Sequence, residues 1–344
     1  MTRHAIALYS GGLDSILAIK LIQGQGIRVV AVFFGTPFFG FSVLRDPFSF
    51  KEFHLEKYGI EVEVVDYTDD LIGVLQNPTH GFGKHLNPCI DCKIGMLRRA
   101  GSMMDAYNAS FVITGEVLGQ RPMSQRRDAM NIIEKESGLS DLCVRPLCMQ
   151  VLPETLPERM GVVDRSGLPG ITGRGRKEQI SMAKRLGIRA EDIPSPGGGC
   201  LLCENRIAFK VRHTLMNPPS GNVSRYDLAM DVLGRKFDLG KAKALIVSRN
   251  DKENTVLSSL MYPGNIFIKI DDIPGPLGII RGDVSPNDIQ TAAGICLRYS
   301  KGRGSKGYKA VYGDDPMALN THIDAPIISH EEIQGLRVDP DNLF

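Results

Sequence analysis

Residues 4–20, "HAIALYSGGLDSILAIK", constrain this chain more than any other stretch. A short, continuously apolar run reads as a buried strand, and "DSILAIKLIQ" has the spacing of a helix. Only Ser-Gly-Gly-Leu separates them. A turn that abrupt leaves the first amides of the helix without intrahelical partners and sets the positive end of its dipole over the turn. Two glycines remove the Cβ atoms that would hold a ligand away from those amides. Strand, glycine turn and helix start together make an anion site, and phosphate is the anion such a turn suits. Asp14 and Ser15 stand at the helix start, suited to capping it and to holding Mg²⁺ or a phosphate oxygen. The Gly-Lys-Ser/Thr of the Walker loop and the Gly-x-Gly-x-x-Gly of dinucleotide loops are both missing.

The same grammar continues downstream. "VVAVFF" (29–34), "EVEVVDY" (61–67), "FVITGE" (111–116) and "LCVRPL" (142–147) read as strands. Helices are expected near 46–58, 69–75, 93–106 and 176–188, with 77–92 as a loop. Strands alternating with helices imply an α/β fold with a doubly wound, mostly parallel sheet. The prolines and glycines of "IPSPGGGCLLCENR" (193–206) break that rhythm. We therefore expect a first domain over 1–205 and a smaller α+β domain over 220–315, with a helix from Pro286 to about Tyr299 and a loosely packed tail over 316–344.

At 344 residues there is chain enough for two cores, and 41 basic against 39 acidic side chains give no bulk charge that selects a partner. The apolar runs are too short to span a membrane, and the strand pattern begins at residue 4, so no membrane association and a cytoplasmic location are the expectation. With seven cysteines and no export signal, a disulfide framework is not expected. Cys89 and Cys92 form one C-x-x-C pair; Cys200 and Cys203 form another. Cys143, Cys148 and Cys296 sit in apolar contexts that packing explains.

"SGGLDS" closely resembles the PP-loop of the ATP pyrophosphatase superfamily, whose members cleave ATP between the α and β phosphates and use the AMP part to activate a substrate oxygen. "TGEVLGQRPMSQ" (114–125), "VRPL" (144–147) and "KEQISMAKRLGI" (177–188) resemble, in order, stretches of the tRNA 4-thiouridine synthetases (ThiI-type). That resemblance implies Ser10, Gly11, Gly12, Asp14, Ser15, Thr114, Gly115 and Gln120 at ATP, with Mg²⁺, and Asp14 and the cysteines in catalysis. It also implies a [4Fe–4S] cluster held by Cys89, Cys92 and Cys200, with one iron left open for sulfide. If Cys203 were a fourth ligand, that open position would be lost. Residue types alone leave two rivals standing: a zinc ion on four thiolates, and a cysteine persulfide resolved by a second cysteine. Free sulfide or a cysteine desulfurase would supply the sulfur, and a homodimer is compatible with the family.

Residues 247–260, 265–280 and 284–313 resemble the RNA-binding domain of NFACT proteins. The aromatic and histidine that often precede its D-x-P-G turn are replaced here by "IFIKIDDIPG". Within "RYSKGRGSKGYK" (298–309), Arg298, Lys301, Arg303, Lys306 and Lys309 can neutralise phosphates and the two tyrosines can stack on bases. The reading is an ATP-dependent tRNA sulfurtransferase, with 4-thiouridine at position 8 preferred and 2-thiolation of a wobble uridine as the alternative. From other classes stand a PP-loop amidotransferase or ligase and an RNA-binding factor without catalysis.

Overall fold

The computed structural model describes residues 1–195, 199–219 and 221–342. The Pro-Gly-Gly at 196–198 lies outside them. The chain divides into two compact units, Met1–Cys200 and Leu201–Phe344.

The first unit runs β1 (His4–Tyr9), α1 (Leu13–Gln23), β2 (Arg28–Gly35), α2 (Phe41–Arg45), α3 (Pro47–Tyr58), β3 (Val62–Asp66), α4 (Thr68–Gln76), α5 (Cys89–Ser102), β4 (Phe111–Thr114), α6 (Arg127–Ser137), β5 (Cys143–Val144), α7 (Leu156–Arg159) and α8 (Lys177–Arg185). Its five strands are parallel in the order β3-β2-β1-β4-β5. β1 is central: Ile6 pairs with Val30 on one side and Val112 on the other. Ile16, Leu17, Ile19 and Ile22 of α1 are fully buried, each stabilising the fold by roughly 1.5–3 kcal/mol. The chain winds outward from β1 through β2 and β3, then crosses to β4 on β1's other side. The loops after β1 and β4 therefore part at a topological switch point, where open α/β sheets leave a crevice.

The expected doubly wound parallel sheet is present. The 77–92 loop is shorter than expected, because α5 begins at Cys89 with Pro88 at its N-cap.

The second unit contains α9 (Asn205–Met216), α10 (Arg225–Asp231), β6 (Arg235–Gly240), β7 (Lys243–Val247), α11 (Asp251–Ser258), β8 (Ile266–Ile270), β9 (Gly278–Arg281), α12 (Pro286–Arg298), β10 (Lys309–Gly313), β11 (Thr321–Asp324) and α13 (His330–Leu336). Its antiparallel sheet is ordered β11-β10-β8-β9-β7-β6. α12 packs Ile289, Ala292, Ala293 and Cys296 onto it.

Two boundaries differ from the sequence reading. α9 belongs to this unit because the Lys210 ammonium, buried on it, donates to the Leu233 and Gly234 carbonyls at 3.0 and 3.1 Å. Residues 316–342 are no loose tail. β11 extends the sheet along β10, and α13, started by a Ser329–Glu332 capping box, buries Ile333 in the core.

Candidate nucleotide and sulfur site

The glycine turn follows β1 directly. Gly11 has φ +71°, a left-handed backbone that glycine adopts without strain. Gly12 is extended and caps α1 with no side-chain help. The Ser15 hydroxyl donates back to the Gly12 carbonyl at 2.8 Å and lies 3.3 Å from the Ser10 hydroxyl, so the two serines close the turn on itself. Asp14 is not the cap expected of it. Its Oδ2 accepts from the Gln120 amide at 2.8 Å, across the crevice, while its Oδ1 and the Gln120 Oε1 are buried with no hydrogen-bond partner. Buried polar oxygens left open in a crevice are the kind that a ligand's donors or a cation complete.

The loop after β4 comes up against this turn. A Cβ on Gly115 would lie 2.6 Å from the Ser15 nitrogen and 2.7 Å from the Asp14 carbonyl carbon, so only glycine permits the approach. Ser10, Gly11, Gly12, Asp14, Ser15, Gly115 and Gln120 are thus brought together. Thr114 is turned elsewhere: it is buried, and its hydroxyl donates to Glu116 at 3.1 Å.

Glu116 organises the other side of the crevice. Fully buried, it accepts from Lys93 at 2.5 Å and from the Arg145 Nε at 3.1 Å. Burial works against its charge, but the Lys93 and Arg145 cations outweigh it and hold the carboxyl down at about 2. Arg145 also donates to Glu134 at 2.6 Å, and its Nη2 is buried without a partner. Sequence reasoning missed Lys93 and Arg145 as site residues. The available signal was a lone arginine inside the apolar "LCVRPL".

Lys93 follows Cys92 in the first turn of α5, where Cys89 and Cys92, three residues apart, share a helix face. Cys89 accepts from the Asn87 amide at 3.3 Å. Burial, followed by the neighbouring Cys200 and Cys89, pushes the Cys92 thiol up to about 12. Cys89, Cys92 and Cys200 are therefore close enough to interact. The Tyr67 phenol lies over Gly95 on the next turn, where a Cβ would meet its oxygen at 1.9 Å. Among the described residues no three His, Cys, Asp or Glu side chains are gathered to hold a single metal ion. Cys203 falls in the second unit. Cys143, Cys148 and Cys296 are buried as packing residues.

In the second unit, Arg298 ends α12, Lys301, Arg303 and Lys306 are exposed on the following turns, and Lys309 starts β10. One face of Tyr299 is covered by the Arg235 guanidinium, 4.5 Å from the ring centroid. Tyr308 packs on Gly302. Both tyrosines are engaged in holding the loop.

Residues 1–150 match the family model described as thiamine biosynthesis protein (ThiI), and residues 234–337 match that of the NFACT protein RNA binding domain. Both lie where the sequence resemblances place them. A "Probable tRNA sulfurtransferase" of Methanothermobacter thermautotrophicus is 26% identical over 205 residues, 57% of this chain and 43% of its own length. A second, from Thermococcus kodakarensis, is 26% identical over 167 residues, 48% of this chain and 42% of its own. The chain thus spans under half the length of these relatives. A solved 4-thiouridine synthetase–RNA complex with bound ATP is similar at a TM-score of 0.40 and 20% identity, covering 58% of this chain and 44% of that one. Among the described residues no helix is long and apolar enough to cross a membrane.

Proposed function

We propose that this chain, carrying a ThiI-type domain and an NFACT-type RNA-binding domain, is an ATP-dependent tRNA sulfurtransferase that replaces a uridine carbonyl oxygen with sulfur. The observation that carries the reading is the junction at the switch point. Gly115 seats the β4 loop on Asp14 and Ser15, and the next residue, Glu116, ties that loop through Lys93 to the cysteine-bearing turn of α5. One short path of packed atoms links a phosphate loop to the thiols.

In this reading residues 10–15 would hold the ATP phosphates, and Asp14 would hold a Mg²⁺ ion that supplies positive charge there. The uridine oxygen attacks the α-phosphorus and pyrophosphate leaves. A sulfur nucleophile then adds to the activated ring carbon and AMP departs with the oxygen. Glu116, ionised between two cations, fixes the α5 turn relative to the phosphate loop. Proximity of this kind supplies several kcal/mol of the barrier reduction. The TGEVLGQ stretch favours 4-thiouridine at position 8, with sulfur arriving as free sulfide or from a cysteine desulfurase. The cations from Arg298 to Lys309 would hold the tRNA backbone.

Cys89, Cys92 and Cys200 suit a [4Fe–4S] cluster as three soft ligands beside one another. When bound, a cluster with three protein ligands supplies an open iron that can carry sulfide.

ATP labelled at the α-phosphate tests the reading. Labelled AMP should form only when tRNA is present and drop about 100-fold or more in Asp14→Asn, whereas ADP as product would sink it. Protein purified without oxygen should hold about four irons and four sulfides, lost in Cys200→Ala; one zinc instead would make the cysteines structural.

A further inference from the structure

The phosphate loop has a second wall, which its sequence does not announce. α3 lays His54 against it. The residue is 5% exposed, and its Nε2 stands 3.6 Å from where a Cβ on Gly11 would sit. Nδ1 lies 2.7 Å from the Phe50 carbonyl oxygen, one turn earlier. A carbonyl oxygen only accepts, so in the neutral ring Nδ1 carries the proton and Nε2 turns a bare lone pair toward the loop. Tyr9 meets the ring edge-on at 5.3 Å, Phe53 at 5.0 Å, and Phe50 packs at 4.1 Å, so the ring is clamped in this orientation.

A phosphate oxygen also only accepts. Against it the lone pair of Nε2 repels, whereas a protonated Nε2 donates a charge-assisted hydrogen bond. We propose that His54 is a phosphate ligand of the nucleotide site, and that it becomes one by taking up a proton as the triphosphate binds. The proposal rests on the phosphates occupying residues 10–15. The proton comes from solvent and forms the Nε2–H bond; no bond of the nucleotide breaks in this step.

The surroundings keep the ring neutral until then. Burial lowers its pKa first, and the Lys57 charge lowers it further, against the Phe50 hydrogen bond. The titratable groups facing it are Tyr9 from β1, Lys57 and Tyr58 from α3, and behind them Asp192. Its carboxylate pairs with Lys57 at 2.9 Å, and its backbone carbonyl accepts from the Tyr58 hydroxyl at 2.7 Å. The negative charge that would stabilise an imidazolium is thus already matched to Lys57, and the triphosphate supplies it anew.

The test is calorimetric titration of the full chain with α,β-methylene-ATP and Mg²⁺ at about pH 7.5 in buffers of different ionisation heat. The parent should take up close to one proton per nucleotide. His54→Gln, whose amide donates without titrating, should bind with that uptake gone and with affinity flat in pH. Equal uptake in parent and variant would overturn the proposal. Should His54→Gln fail to fold, nitrogen NMR of the histidine-labelled parent replaces it: one imidazole should gain its second proton on adding nucleotide, and none doing so overturns the proposal. No nucleotide binding at all would overturn the ATP reading with it, whereas binding without a linked proton overturns this inference alone.

Discussion

Each unit buries an ionic network, and the two are finished differently. In the second unit the Lys236 ammonium donates to Asp231 at 2.8 Å, Asp231 also accepts from Thr214 at 2.5 Å, and Arg281 donates to Asp227 at 2.8 Å and to Asn265 at 2.9 Å. Among the described residues that unit leaves one buried side-chain polar atom without a partner, the His213 Nδ1. In the first unit Tyr9, Asp14, Gln120, Gln125 and Arg145 each leave one, and Gln179 leaves two. A closed network is a structural brace; one left open beside a crevice has room for a ligand to complete it.

If that distinction holds, braces should fail alike in both units. Glu116→Gln and Asp231→Asn each strand buried cations, and each should cost about 3–5 kcal/mol in denaturant unfolding. Glu116 adds a pH signature. Its folded pKa of about 2 lies below its ordinary 4.5, so its contribution is complete above about 4.5 and is lost as pH falls toward 2. Glu116→Gln should flatten the parent's acid dependence across that window, and an unchanged acid limb would count against an ionised Glu116. Asp14→Asn separates site from brace: tRNA-dependent AMP formation should drop about 100-fold or more while stability is unchanged or raised, because Asp14 already lacks a full set of partners. A loss of stability matching that of Glu116→Gln would make Asp14 another brace.

Gly115→Ala probes the junction itself. Its Cβ must push into the Ser15 backbone, and we expect a loss of about 1–3 kcal/mol in stability together with weakened nucleotide binding, both readable in thermal melts with and without ATP. The smallest effects belong to the exposed cations. Arg303→Ala or Lys301→Ala should weaken tRNA binding a few-fold and reduce its salt slope by about one, leaving nucleotide affinity untouched. A change in nucleotide affinity would contradict the division of labour.

The phosphate loop was legible because strand, glycine pair and helix are contiguous, and each obeys a local rule. The cysteines were legible as types but not as places: Asn87-Pro88 reads as a turn, whereas Pro88 caps α5 and puts Cys89 and Cys92 on a helix. The Glu116–Lys93–Arg145 network joins residues up to 52 apart in number (Lys93 to Arg145), and no local pattern announces it. The same holds for His54, whose role depends on which nitrogen faces Gly11. β11 and α13 escaped notice because they are short and sparsely apolar; the Ser329–Glu332 capping box was the one sign of α13.

The most direct test is mass analysis of nucleosides from tRNA incubated with the anaerobically purified protein, ATP, Mg²⁺ and sulfide. A uridine that has exchanged oxygen for sulfur, formed one-to-one with AMP and absent with Cys200→Ser or Asp14→Asn, is the predicted result. AMP formed without any thiolated uridine, or thiolation that persists in both variants, would contradict it.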